Sequence, residues 1–360
     1  MVRVISCKQS RMAKASVPPT RTVQIWLLAA ATMIFLTLVV GGATRLTQSG
    51  LSITEWKPVS GVLPPLSDAA WQAEFKAYQA IPQYQQLNSG MSLNEFKVIY
   101  WWEWTHRLLA RSTGAVFLLP FLFFLRRGTV PPALRARLWL IFGAGACLGF
   151  VGWWMVSSGL AGSGRVSVSQ YRLAFHLTLA AAIYAAVLWT ARQIVPQADS
   201  DATPRGRVGA IIIAAMILLQ IYLGALVAGS GAGLAYNTWP LIDGSLIPSG
   251  ASLFFLQPAW RNFFENALTV QFDHRMLAYA IWLAVLAHAY GACSKGALIL
   301  AAVATLQVVL GIATLLLQAP LVLAFAHQLM AVITFTIAVV HAEHLCHRPL
   351  VAPALAGASA

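Results

Sequence analysis

The sequence predicts an all-α polytopic membrane protein whose eight transmembrane helices form two tandem four-helix bundles related by a pseudo-twofold axis. Three observations predict this fold: the composition, the long apolar stretches and an internal repeat. Of the 360 residues, 59% are hydrophobic and only 10% are charged. Soluble domains contain about 25% charged residues, so the composition excludes an ordinary soluble domain.

Eight stretches are long enough to cross a bilayer, which takes about 20 mostly apolar residues. The predicted spans are Val23–Gly42, Ile99–Leu125, Leu138–Ser158, Leu173–Ile194, Val208–Gly229, Phe272–Gly291, Ala297–Leu317 and Leu321–His341. Two long connections, 43–98 and 230–271, lie on the predicted outer side. The first contains SDAAWQAEFKAYQ, a predicted helix with Ser67 or Asp68 as its N-cap and with Trp71 and Phe75 on the membrane surface.

The net charge of +13 could indicate a nucleic-acid partner, but its distribution follows the positive-inside rule. The basic residues of the predicted inner segments are Arg3, Lys8, Arg11, Lys14, Arg21, Arg126, Arg127, Arg135, Arg137, Arg192, Arg205, Arg207, Lys295 and Arg348. The acids of the outer loops and adjoining helix starts are Glu55, Asp68, Glu74, Glu95, Glu103, Asp243, Glu265 and Asp273. This pattern predicts cytoplasmic termini and no nucleic-acid binding.

The first apolar run follows a basic N-terminus, as in a signal peptide. It is too long for one and shows no small-x-small cleavage site, so a retained first helix is predicted. None of the four cysteines falls in an outer loop, so no structural disulfide is expected there. These cysteines are Cys7, Cys147, Cys293 and Cys346.

The two halves of the chain repeat one another. EWTHRLLA opens the second helix and QFDHRMLAYA the sixth, while RLAFHLTLA opens the fourth and LVLAFAHQLMA the eighth. Because each half has an even number of helices, both halves share one orientation. The predicted organisation is a basic N-terminus at 1–21, a first bundle at 22–195, a linker at 196–207, a second bundle at 208–345 and a tail at 346–360.

Four histidines lie near the predicted outer ends of the even-numbered helices. They are His106, His176, His274 and His327. A single histidine near a helix end usually makes interfacial hydrogen bonds, but four at one depth, paired by a repeat, favour ligation. His288 lies near the inner end of the sixth helix. The cluster of His341, His344 and His347 at the inner C-terminus has a spacing that could bind metal, but it is interpreted as a solvated helix end.

Two facing histidines are better suited to haem than to zinc. A structural zinc site takes four ligands, and no outer cysteine or intramembrane carboxylate cluster supplies the others. A haem needs one or two axial ligands, and opposite helices of a four-helix bundle can supply them. The sequence therefore predicts one haem site per half, His106 with His176 and His274 with His327.

Charged residues next to the histidines differ between the halves. Arg107 and Arg275 directly follow a ligand histidine and could each anchor a haem propionate, or merely snorkel to the interface. Glu103, three residues before the first histidine, could orient a ligand or pair with Arg107. Gln271 holds the matching place in the second half without a charge. This asymmetry predicts different roles for the two haem sites.

A second asymmetry concerns the outer loops. The first loop carries Glu55 in SITEWKP, whereas its counterpart GSGAGLAYNTWP has no acid there. A carboxylate over a haem edge could serve as a general acid or base, or could stabilise a developing cation. A loop acid is more often simply solvated, so the residue pattern alone leaves both interpretations open.

The segments GGATRLTQSGLSITEWKP, EWTHR, QFDHR and NTWPLIDG, together with the four histidines, resemble the haem A synthase family. The resemblance runs from about Thr22 to His344, and GVLPP and NEFKVIYWWEW resemble its alphaproteobacterial and mitochondrial branch. It implies oxidation of the C8 methyl of haem O to a formyl group through a hydroxymethyl intermediate, giving haem A for cytochrome c oxidase.

The resemblance also implies roles for individual residues. By position, His274 and His327 would ligate haem B, the cofactor, and Arg275 would contact it. His106, His176 and Arg107 would bind haem O, the substrate. Glu55 would be the catalytic residue. The cysteine pair that some bacterial members carry in outer loops is absent here, so no thiol redox step is implied.

The implied partners are haem O, the haem O synthase that delivers it, a redox donor and membrane lipid, with a homo-oligomer left open. The implied location is a bacterial inner membrane, with haem sites near the periplasmic side. On histidine geometry alone, two other functions are open: a two-haem membrane cytochrome b, and a haem transporter or chaperone.

Overall fold

The computed structural model describes residues 19–197 and 200–348, which form helices joined by loops. The eight long helices are α1 (Pro19–Leu46), α2 (Leu93–Arg126), α3 (Pro132–Ser157), α4 (Gln170–Gln193), α5 (Pro204–Ser230), α6 (Ala267–Ala292), α7 (Lys295–Leu316) and α8 (Leu321–Leu345). In these described ranges the only β-pairing is an isolated bridge between Ile242 and Ser245. The all-helical prediction is confirmed. The N-terminal residues Arg3, Cys7, Lys8, Arg11 and Lys14, and most of the predicted segments 1–21 and 346–360, lie outside the described residues.

Each predicted span overlaps one long helix, and seven helices of the described chain are apolar and long enough to cross a membrane. The eighth, α6, has 26 residues, about 39 Å, and so exceeds the roughly 30 Å hydrocarbon core. Its hydropathy is lower because it carries Asp273, His274, Arg275 and His288. The chain is therefore a multi-pass helical membrane protein.

Helices α1, α4, α5 and α8 pack together at the centre: α1 contacts α4 and α8, and α5 contacts the same two helices. Helix α2 packs on α1 and α3 on α4, while α6 packs on α5 and α7 on α8. Contacts between α2 and α3, and between α6 and α7, close a ring on each side. Within each ring, the two helices that carry predicted ligand histidines are diagonally opposed.

Helix α2 begins six residues before its predicted span, at Leu93. A capping box starts it: the Ser92 hydroxyl accepts from the Glu95 amide, and the Glu95 carboxylate accepts from the Ser92 amide. Its 34 residues extend about 51 Å, which is longer than a bilayer core. The outer part of α2 is therefore available to hold the first outer loop.

The predicted helix in that loop forms at Asp68–Gln79, with the Ser67 hydroxyl as its N-cap. Its predicted place on the membrane surface is wrong. Trp71 and Phe75 are each only 8% exposed and pack against the Phe96 and Tyr100 rings of α2. Their spacing of four residues puts both on one helix face, and the protruding end of α2 buries that face.

Candidate functional site

Each of the four predicted ligand histidines packs on a glycine of the helix before it. A β-carbon at Gly41, Gly152, Gly224 or Gly311 would come within 2.8 to 3.2 Å of an imidazole, of His106, His176, His274 and His327 respectively. That approach is closer than β-carbons ordinarily make. These glycines were not predicted from the sequence, although all four odd-numbered helices have a glycine at the equivalent position.

The glycines place the four imidazoles at one level. Each glycine lies five or six residues before the end of its own helix. These helices end at Leu46, Ser157, Ser230 and Leu316. Measured from the start of its own helix, His106 lies much deeper than the other three, because α2 extends outward beyond them. The expectation that all four lie close to their own helix starts is therefore wrong for His106, whereas the shared level is retained.

An inner pair of histidines shows that α6 and α8 face each other. His288 Nε2 lies 2.9 Å from His341 Nε2. His341 is buried, so its interpretation as part of a solvated helix end is wrong. His288 and His341 follow His274 and His327, respectively, by 14 positions, which is nearly four full helical turns. His274 and His327 therefore occupy the same two facing sides, four turns further out.

In the second half, a glutamine supports each outer histidine. Gln220 Nε2 donates to the His274 carbonyl at 2.8 Å and lies 3.0 Å from its Nδ1. Gln307 Nε2 donates to the His327 carbonyl at 3.2 Å. These contacts fix the backbone of both histidines and the ring of His274, which suits permanent ligands.

The first half lacks this support. The glutamines stand four residues before Gly224 and Gly311, and the corresponding positions before Gly41 and Gly152 hold Thr37 and Leu148. Thr37 instead bonds within α1 and to Thr113. The two histidine pairs therefore share one glycine packing but differ in polar support.

The side chains present fit a haem held between two imidazoles in either half. His176 Nδ1 and His327 Nδ1 are buried without a hydrogen-bond partner in the described structure. Leaving a buried polar nitrogen unpaired costs about 1–3 kcal/mol, so such rings are typical of ligand sites rather than of structural contacts. Within residues 19–197 and 200–348, no three histidine, cysteine, aspartate or glutamate side chains form a metal site.

The carboxylate of Glu103, on α2, is 2% exposed and holds the start of the first outer loop. It accepts hydrogen bonds from Ser52 Oγ and the Ile53 amide, both at 2.7 Å, and from Arg107 Nε at 3.0 Å. Arg107 also donates to the carbonyls of Ile53 and Glu55, at 2.8 and 3.0 Å. The loop is thus fixed to α2 beside His106, the first predicted ligand histidine.

One turn further along α2, Arg111 extends this attachment. It donates to the carbonyls of Lys57 and Pro58, at 2.7 and 3.0 Å. A cavity of about 270 Å³ lies between the loop and α2, with Tyr100 and Arg107 in its wall. Arg107, which could anchor a haem propionate, and Arg111 therefore both hold loop backbone beside a small cavity.

Glu55, the predicted catalytic acid, lies at the surface of this loop. Its side chain is 61% exposed and pairs with Lys57 Nζ at 2.9 Å. The same ammonium group contacts Glu74 at 2.8 Å, and these carboxylates raise the pKa of Lys57 above its usual value. Lys57 therefore stays charged beside Glu55.

In the second half, Arg275 has the role that Arg107 has in the first. Its Nη2 donates to the carbonyls of Tyr236 and Thr238, at 3.1 and 2.6 Å. Its Nη1 donates to the Leu241 carbonyl at 3.2 Å. Both arginines thus tie an outer loop to the helix of a ligand histidine, and propionate binding by either one stays a prediction.

The comparison with known protein families identifies the chain's relatives. Residues 24–339 match the family model COX15-CtaA, described as cytochrome oxidase assembly protein. The chain belongs to this family. The match includes all four outer histidines, their glycines and both outer loops.

Members of the COX15-CtaA family that resemble this chain carry the name "Heme A synthase". The protein of Rhodopseudomonas palustris (strain BisA53) is 54% identical over 341 residues, 93% of this chain and 94% of that protein. The protein of Bradyrhizobium diazoefficiens is 55% identical over 337 residues, 92% of this chain and 93% of that protein. The family resemblance predicted from the motifs is confirmed.

Proposed function

We propose that this chain is a haem A synthase, an oxidoreductase that converts the C8 methyl of haem O to a formyl group through a hydroxymethyl intermediate. The observation that carries this proposal is the similarity to proteins named Heme A synthase over nearly the whole of both chains. The two glycine-packed histidine pairs support it, because they offer one site for a cofactor haem and one for a substrate haem.

The glutamine contacts favour the second half as the cofactor half. A resident cofactor needs ligands that keep their orientation. Among the four histidines of the described structure, only His274 and His327 accept a hydrogen bond from a glutamine of the preceding helix. We assign haem B to this pair in the bundle 208–345, with Arg275 on its outer side. Haem O is assigned to His106 and His176 in the bundle 22–195, and the segment 196–207 links the two bundles.

The two bundles are proposed to sit side by side with parallel topology. The basic inner segments place both termini in the cytoplasm, and the outer loops then face the periplasm of a bacterial inner membrane. The haem sites lie near that side, since the ligand histidines are within two turns of the outer ends of the glycine-bearing helices. This topology presents the substrate methyl to the loop that carries Glu55.

The chemistry requires two oxidations of one carbon. Each joins a water oxygen to that carbon and removes two electrons and two protons, and the resulting gem-diol loses water to give the formyl group. The four electrons released in total go to an external redox partner, and haem B, when bound, would supply a one-electron redox centre for their transfer. Glu55 accepts a proton from the attacking water. Lys57 keeps Glu74 as a partner when Glu55 is protonated.

Arg107 positions Glu55 for this step. It holds the Glu55 carbonyl from the same helix that carries His106, so the acid and the substrate ligand share one rigid element. Holding reacting groups on rigid elements lowers the entropic part of a barrier.

We also propose that haem O reaches the chain from its synthase, that a redox partner exchanges electrons with haem B, and that a homo-oligomer forms in the lipid bilayer.

The test is production of haem A in cells that also express a haem O synthase. Extracted pigments should contain haem A and its hydroxymethyl precursor. We expect His274→Ala and His327→Ala to lose the bound-haem spectrum, and Glu55→Ala to keep that spectrum but lose the product. Two permanently bound haems B with no modified porphyrin would contradict the proposal and indicate a membrane cytochrome b.

A further inference from the structure

A groove of about 500 Å³ runs between α3 and α4 in the first half of the chain. Leu140, Ile141 and Ala144 of α3 form one wall, and α4 forms the other with Leu179 and Ile183. The groove is apolar along its length. It ends at the inner side, where Arg137 Nη1 donates to Gln193 Oε1 at 2.7 Å.

The groove starts directly beneath the proposed substrate site. Leu179, Ile183 and Ala186 follow His176 by three, seven and ten residues, a spacing that puts all four on one face of α4. The last lining residue, Gln193, is 17 residues beyond the histidine, about 25 Å along the helix. The groove is therefore long enough for an extended hydrocarbon chain attached to a haem at His176.

The substrate carries such a chain. Haem O differs from haem B by an isoprenoid tail, which is attached to the porphyrin edge opposite the two propionates. With the propionates towards the outer loops, the tail points inward along α4.

The second half differs from the first at the corresponding depth. Thr190 lines the groove 14 residues after His176, and the residue 14 positions after His327 is His341. The His341 side chain is buried and contacts His288. A pair of imidazoles thus fills the second bundle where the first has a groove, which suits a tailless haem B there.

We propose that the α3–α4 groove binds the isoprenoid tail of haem O and so determines which half takes the substrate. This inference rests on the proposed function. Within a bilayer, lipid chains are as apolar as the tail, so the groove gains affinity through close packing rather than through the hydrophobic effect. Filling the groove with a larger side chain should therefore remove the preference for haem O.

The test uses Ala182→Phe and Ala186→Phe, both on the α4 wall, with the milder Ala186→Leu in case a phenylalanine variant does not fold. Ala302→Phe is the matched control, since this exposed alanine lies on α7, the counterpart of α3. Purified variants that retain second-half haem are assayed for KM and kcat with haem O. Binding of haem B, the tailless analogue, to the first-half site is measured in parallel.

We expect the groove variants to raise the KM for haem O about tenfold, equivalent to about 1.4 kcal/mol, with little change in kcat or in haem B binding. The control should match the wild-type protein. An unchanged KM would overturn the proposal. If the variants also lost a co-purifying phospholipid, the groove would bind membrane lipid instead of the substrate tail. An equal loss for haem O and haem B would also overturn it. Failure of the wild-type protein to make haem A would instead contradict the proposed function.

Discussion

Arg107 and Glu103 form an ion pair on α2, one helical turn apart, and the same guanidinium holds the carbonyls of Ile53 and Glu55. The pair therefore links the substrate-ligand helix to the loop that carries the proposed catalytic acid. In the second half, the corresponding Gln271 is 3% exposed and its Oε1 has no partner. The carboxylate thus has its loop-holding role only in the half assigned to the substrate.

Replacing this carboxylate by its amide tests the role. Glu103→Gln keeps the shape but leaves the Arg107 guanidinium without its counterion, and uncompensated buried charges cost about 3–5 kcal/mol. We expect haem A production to fall at least about tenfold, a loss of about 1.4 kcal/mol of transition-state stabilisation. The second-half haem spectrum should be retained.

The control for this variant is Glu95→Gln, because Glu95 is an exposed residue on the same helix and glutamine also completes a capping box. Haem O conversion is measured by pigment extraction alongside the absorbance of bound haem. Normal conversion by Glu103→Gln would show that the loop does not depend on this ion pair.

The inner histidine pair is expected to be structural. His288→Leu and His341→Leu remove the 2.9 Å contact between their Nε2 atoms but leave the outer pair and its glutamines in place. We expect a haem content per chain equal to that of the wild-type protein, measured by pyridine haemochrome and protein assays. Loss of haem in both variants, with the fold retained, would mean that the inner pair also ligates iron.

Glu265 gives the second outer loop a pH-dependent contact with the first half. Hydrogen bonds from Arg261 and Tyr171 lower the pKa of Glu265 below its ordinary value of 4.5. Because the folded pKa is depressed, the stabilisation is present above pH 4.5 and is lost as the pH falls through the folded pKa.

We therefore expect Glu265→Gln to lower thermal stability at pH 7 and to match the wild-type protein at acidic pH below the folded pKa. The measurement is a set of thermal unfolding curves in detergent across this range. Tyr171→Phe, which removes one donor, should have a smaller effect. If the unfolding temperatures of Glu265→Gln and the wild-type protein differed by the same amount at every pH, ionised Glu265 would be excluded as the cause of the stability loss.

The sequence predicted the helices well because membrane spans depend on length and apolarity, which are local properties. The repeat in the sequence also predicted that the four outer histidines are equivalent, as their shared glycine packing shows, whereas their role as ligands stays a prediction. The predicted start of α2 was too late because the capping box at Ser92 and Glu95 lies in a polar stretch outside the apolar run. Trp71 was misplaced because its burial depends on α2 protruding beyond the bilayer.

The roles of the arginines were beyond sequence reasoning for a different reason. Arg107 contacts carbonyls more than 50 positions away in the chain, and Arg275 contacts carbonyls 34 to 39 positions away. Every residue has a backbone carbonyl, so the sequence does not show which carbonyls accept a hydrogen bond. An arginine that binds carbonyls therefore has the same sequence signature as one that binds a propionate. The histidine–glycine contacts also join different helices, but the repeat makes them recoverable.

The contacts between the histidines and the glycines give the sharpest test of the proposed cofactor site. Gly311→Ala would put a β-carbon 2.9 Å from His327 Cε1, and Gly224→Ala one 3.2 Å from His274 Cε1. Alanine favours a helix over glycine by about 0.5–1 kcal/mol, so any loss must come from the displaced imidazole. We expect both variants to reduce bound haem, the first more strongly, as measured by absorbance per chain. Gly143→Ala, where the added carbon meets nothing within 4 Å, is the control and should keep the full spectrum. Full haem occupancy in Gly311→Ala would show that the close glycine packing is not needed to place the ligand.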